Sequence, residues 1–173
     1  MNVRVAIWSI HPGDLLGEAI TFETHGPAQH AGFIRENGRI HELYLPAPRD
    51  RDILDAERPY LMTFDIEGMT LEISAALERH FDAVLASDVI HYSIADLFRL
   101  KFNLPPPTDG GLVCSQYVFW HLTMVHLPPL VRCARDFITP RDLLISPRLV
   151  DPPVPTPVPP SPQPSPPGEG ENP

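Results

Sequence analysis

Eleven of the chain's 23 prolines fall between Asp151 and Pro173, in a stretch whose other apolar side chains are only Val154 and Val158. Proline removes a backbone donor and fixes φ, and a segment this poor in apolar surface cannot recover the entropy lost on ordering. The sequence therefore divides into a packed domain over residues 1–150 and a proline-rich, disordered tail over 151–173 that samples polyproline II and coil. Such a tail could dock a proline-binding module.

The 150 remaining residues suffice for one sizeable core but hardly two. They hold 13 basic and 19 acidic side chains, within a chain of formal net charge -9. That balance argues against a general nucleic-acid binder, because neutralising phosphates requires a basic surface. The apolar stretch Val5 to Ile10 runs directly into His11-Pro12-Gly13-Asp14. Neither a signal-peptide core nor an integral membrane segment is visible, and the default expectation is cytoplasmic.

Two cysteines, Cys114 and Cys133, are too few for a disulfide framework and lack the spacing of a four-ligand zinc site. His121 and His126 lie five apart, on different faces of a helix, and His41-Glu42 has no second histidine at helical spacing. Gly13-Asp14 and Gly110-Gly111 precede no Lys-Ser or Lys-Thr pair, so no phosphate loop is expected. No metal and no cofactor are implied.

The β-branched, weakly alternating run Val3 to Ile10 suits a strand ended by Pro12-Gly13-Asp14. Two extended runs, His30 to Arg35 and Arg39 to Leu45, flank Glu36-Asn37-Gly38 and form the clearest hairpin signal. A two-residue Asn37-Gly38 loop would place His30 and His41 on one face. A three-residue loop with Gly38 in a left-handed bulge would instead pair His30 with Glu42.

Pro46 to Arg58, rich in Arg and Asp, reads as a loop, and its Arg49-Asp50-Arg51-Asp52 run as solvated or in touch with a charged substrate. A third strand follows, with Met62, Phe64 and Ile66 on one face and Gly68 at its end. Helical spacing marks Leu71 to Leu85 and, more briefly, Ser93 to Phe102. After a proline- and glycine-rich loop, Cys114 to Val125 reads as a buried helix, and Thr139-Pro140 as the N-cap and first position of another. A short element closes the domain by Val150.

Cys114 stands between a Gly110-Gly111 loop and an apolar helix, where backbone N–H groups and the helix dipole favour a thiolate nucleophile. A small buried hydrophobe is the other reading of such a residue. His30 opens a strand, and Gly32 leaves room for close approach on the same face, which suits a general base or a histidine bonded to a nearby carbonyl. Glu42, in an otherwise apolar strand, either points to solvent or has a buried partner such as an imidazole.

Three segments together resemble a known family. They are Pro12-Gly13-Asp14-Leu15-Leu16, His30-Ala31-Gly32-Phe33-Ile34 with Gly38-Arg39-Ile40-His41-Glu42, and Val113-Cys114-Ser115-Gln116-Tyr117-Val118. The family is the circularly permuted NlpC-like branch of the papain fold, which includes YiiX-like and lecithin retinol acyltransferase-like proteins. Permuted members carry the histidine first and the cysteine near the end, the order found here. Thr139-Pro140-Arg141-Asp142-Leu143 is similar to a stretch following the cysteine helix in YiiX-like members.

In that family a polar residue twelve positions after the histidine orients it, which here is Glu42, so the resemblance selects the bulged hairpin and makes His41 the runner-up. The resemblance implies an α+β papain-like domain, an antiparallel sheet packed against a helix carrying the cysteine. It implies a cysteine hydrolase, whether peptidase, amidase, thioesterase or acyltransferase, acting on a peptide, amide or lipid ester through Cys114, His30 and Glu42. Tyr92 or a side chain near Gly110-Gly111 would complete the oxyanion site. The competing expectation is a non-catalytic binding module of the same fold whose proline-rich tail docks a partner.

Overall fold

The computed structural model describes residues 2–9, 27–95, 111–128 and 138–152. The tail from residue 153, the Pro12–Leu16 motif, Gly110, Cys133 and most of the Ser93–Phe102 helix lie outside them. The order is β1 (Arg4–Ser9), β2 (Ala28–Ile34), β3 (Ile40–Leu43), β4 (Pro48–Arg51), a 3-10 turn (Arg58–Tyr60) and β5 (Leu61–Ile66). Helices α1 (Leu71–Leu85), α2 (Cys114–Met124) and α3 (Pro140–Leu144) come before β6 (Leu149–Val150). The described strands form one six-stranded antiparallel sheet in the order β4-β3-β2-β1-β5-β6, with helices packed against it, an α+β architecture.

The β2–β3 turn decides which side chains meet. Arg35 N–H donates to Arg39 C=O and Gly38 N–H to Arg35 C=O, leaving a three-residue loop, Glu36-Asn37-Gly38. Gly38 has φ 83°, the left-handed bulge position where glycine avoids the clash a Cβ would make. Ile34 then faces Ile40 and Phe33 faces His41. By alternation, His30, Gly32 and Glu42 share one side of the hairpin and His41 and Leu43 the other.

The main core sets Val5, Ile7, Phe33 and Phe64 of the sheet against Leu77 and Phe81 of α1, Val118 and Leu122 of α2, and Leu143 of α3. Phe33 and Phe81 are fully buried with ring centroids 4.9 Å apart. Burying a side chain of this size contributes roughly 1.5–3 kcal/mol, so Phe81→Ala would strip one of the main ties between α1 and the sheet. Ala6, Trp8, Ile34 and Ile40 form a smaller cluster on the other face with Ile53 and Leu61.

Helix limits follow local chemistry. Thr70 caps α1 by accepting the Ile73 N–H, and Thr139 caps α3, where Asp142 returns a bond to the Thr139 N–H at 2.8 Å. The α1 stripe is buried at Leu77, Phe81 and Val84, whereas Leu71 and Leu85 at its ends are exposed.

The Pro46–Arg58 segment departs from the expected solvated loop. Pro48–Arg51 is an edge strand paired with β3, Glu42 opposite Arg49 and His41 opposite Asp50. No apolar alternation announces it, because its side chains are held by ion pairs instead of hydrophobic contacts.

Candidate active site

Cys114 is the first residue of α2 and is buried. The preceding Val113 is extended, with φ -100° and ψ 167°, and offers no side-chain acceptor to the first turn. Gln116 reaches back instead, its Oε1 accepting the Val113 N–H at 3.0 Å. Ser115 Oγ donates to the Ile138 carbonyl at 2.8 Å, tying the start of the helix to the segment that leads into α3. The helix thus begins at the cysteine itself, with its positive dipole end at Sγ.

His30 reaches the site from β2. An irregularity in the β1–β2 pairing sets Trp8 opposite His30 and Ser9 opposite Ala28, so that β2 carries one extra residue, Gln29, between those two pairs. The imidazole lies between aromatic neighbours, 5.1 Å from the Trp8 ring centroid and edge-on to Tyr44 at 5.7 Å. Its Nε2 lies 2.9 Å from Glu42 Oε2. Cys114 acts on the His30 ring electrostatically, and with Nε2 turned to Glu42 the ring nitrogen not engaged by the carboxylate is Nδ1.

Burial opposes a charge on His30, but the Cys114 sulfur and the Glu42 carboxylate outweigh it and raise the imidazole to about 10. Glu42 moves the other way. Burial alone would raise it, yet His30 and Arg51 hold its carboxyl far below the ordinary range of about 4.5.

Three cationic groups converge on the Glu42 carboxylate, whose side chain is fully buried. Besides His30, Arg51 Nε donates to Oε1 at 2.6 Å and Arg49 Nε to the same oxygen at 2.9 Å. Arg51 is held in turn by Glu57 at 2.5 Å. Gly32 makes this possible, since a Cβ there would stand 2.9 Å from the His41 carbonyl oxygen and 3.1 Å from Glu42 Cβ. The two arginines escaped sequence reasoning; the signal lay in Arg49-Asp50-Arg51, where strand alternation sends both arginines one way and the aspartate the other.

Asp50 faces the opposite side of β4 and binds His41 Nδ1 at 2.7 Å, while His41 Nε2 meets the Tyr117 hydroxyl at 2.7 Å. Arg35 joins Asp50 to Glu78 and Asp82 of α1. His41 therefore does not share His30's face, and His30's carboxylate partner is Glu42. Beside this network His121 and His80 meet through their Nδ1 atoms at 3.1 Å, and burial together with the neighbouring His41 pushes both below the ordinary histidine value.

Tyr92 is brought to the site by its backbone. Its N–H donates to the Pro46 carbonyl at 2.8 Å, and it bridges in parallel to Leu112, two residues before Cys114. Burial, with added contributions from Cys114 and Tyr44, raises the phenol above its ordinary range, so it stays a neutral donor. Among the described residues no group of three or more His, Cys, Asp and Glu side chains is arranged to hold a metal ion. Among them, too, no helix is long and apolar enough to cross a membrane.

No family model matches the chain, and no curated protein matches it.

Proposed function

We propose that Cys114, His30 and Glu42 are the nucleophile, base and orienting acid of a thiol hydrolase or acyltransferase, built on a permuted NlpC-like version of the papain fold. The observation that carries the reading is a single imidazole ring hydrogen-bonded through Nε2 to a buried carboxylate and electrostatically linked to the thiol of a helix-start cysteine.

In this mechanism the Cys114 Sγ proton passes to His30 Nδ1 and the sulfur attacks an amide, ester or thioester carbonyl. The tetrahedral oxyanion meets the Cys114 backbone N–H, with the neutral Tyr92 hydroxyl as second donor. His30 returns its proton to the leaving amine, alcohol or thiol, and a thioester to Cys114 remains. His30 then deprotonates water, or an acceptor alcohol or amine, which attacks the thioester carbonyl, releases the acyl product and restores the thiol. Glu42 keeps Nε2 protonated and fixes the ring's orientation throughout.

The test is the rate of iodoacetamide alkylation at Cys114 against pH, followed by peptide mass spectrometry, in the wild type and in His30→Ala and Glu42→Ala. Fast alkylation near neutral pH that drops at least tenfold in His30→Ala supports the reading. Slow alkylation of Cys114, equal in all three proteins, overturns it.

A further inference from the structure

The two arginines on Glu42 are not equivalent. Arg51 is mostly covered, with 21% of its side chain exposed, is ion-paired to a second carboxylate on Glu57, and lies over the Trp8 ring. Arg49 keeps 43% of its side chain exposed, and the acid it meets, Glu42, is shared with His30 and Arg51. Its guanidinium lies 4.1 Å from the centroid of the half-exposed Tyr44 ring, which stands edge-on to His30.

Resting on the thiol–imidazole reading above, we propose that Arg49, stacked on Tyr44, is a carboxylate subsite, and that the preferred acyl substrate carries a carboxylate close to the carbonyl attacked by Cys114. The guanidinium is anchored through Nε and one terminal nitrogen to Glu42 and lies over an aromatic ring, so little rotamer freedom remains to be lost on binding. A planar fork presented from such a position suits a carboxylate.

Two reagents of one chemistry test this. Iodoacetate and iodoacetamide share a leaving group and react with the same thiolate, so the ratio of their rates at Cys114 cancels thiolate abundance and isolates the reagent's charge. Relative to N-acetylcysteine, the wild-type ratio should favour iodoacetate by about fivefold, the size expected for one charge pair near 4 Å in a wet site. That preference should vanish in Arg49→Gln, persist in part in Arg49→Lys, and shrink as salt is raised.

A ratio in Arg49→Gln equal to that of the wild type, or a wild-type ratio no higher than the reference, overturns the subsite while leaving Cys114 as a reactive thiol. A Cys114 unreactive toward both reagents overturns the nucleophile, and the subsite with it.

Discussion

Tyr117 and His41 are joined by a 2.7 Å hydrogen bond, buried between helix and sheet, one helical turn beyond Cys114. Because His41 is held on its other side by Asp50, the bond extends a chain of polar contacts from the edge strand through β3 into the cysteine helix. The angular setting of that helix thus rests on specific donors and acceptors as well as on apolar packing, which by itself tolerates small rotations.

Tyr117→Phe removes the hydroxyl while keeping the ring, and leaves a histidine nitrogen buried without its partner. The expected loss is ~1–3 kcal/mol of unfolding free energy, read as a lower urea midpoint at unchanged slope. A change below ~0.5 kcal/mol would show that the bond contributes little to the fold.

Glu42→Gln should destabilise the protein by ~3 kcal/mol near pH 7, because it leaves a converging set of cations without their carboxylate. The pH dependence has a definite sign. A carboxyl held below its unfolded value of about 4.5 contributes stability that is complete above that pH and lost as the pH falls through the depressed folded value. The two proteins' stabilities should therefore converge on acidification below about 4.5; a gap of constant size down to pH 2.5 would contradict the ion-pair account.

His30 titrates high because Cys114 and Glu42 together outweigh its burial. Cys114→Ser deletes the larger of these upward influences, so the imidazole should titrate well below its wild-type value of about 10 in an NMR pH series. Stability linked to His30 is complete below its unfolded value of 6.5 and lost as pH rises toward 10, so this alkaline loss should be smaller in the variant. An unshifted imidazole would mean that thiol and ring do not communicate.

Gly32 and Gly38 separate space from conformation. Gly32→Ala places a Cβ against the His41 carbonyl and Glu42, which costs ~1–3 kcal/mol and moves the carboxylate away from His30. Gly38→Ala meets nothing within 4 Å and suffers only the left-handed backbone penalty of ~1–2 kcal/mol. Alkylation of Cys114 should slow in the first variant and not in the second; equal slowing would detach Glu42 from the reactivity of the thiol.

Local signals made the hairpin legible, since Glu36-Asn37-Gly38 separates two extended runs, but Asn-Gly also suits a two-residue turn and only the family resemblance selected the bulged loop; with Gly38 in that bulge, alternation brings His30 to Glu42. The cysteine helix and the capped Thr139 helix were equally readable, from an unbroken apolar run and from cap chemistry. β4 was not, because hydrophobic periodicity cannot register a strand whose two faces are satisfied by Glu42 on one side and by His41 and Arg35 on the other. The Tyr117–His41 contact was hidden for another reason: its partners are 76 positions apart and meet only through the tertiary fold.

β4 has a further consequence for how molecules of this protein behave together. It is the outermost of the described strands at one end of the sheet, and an outermost strand is the usual starting point for strand-to-strand aggregation. Its sequence, Pro48-Arg49-Asp50-Arg51, opens with a residue that cannot donate and continues with three charges, a poor template for an incoming strand. The opposite edge is β6, only two residues long. The residues that hold the Glu42 carboxylate in place thereby also discourage the sheet from growing sideways into a second molecule.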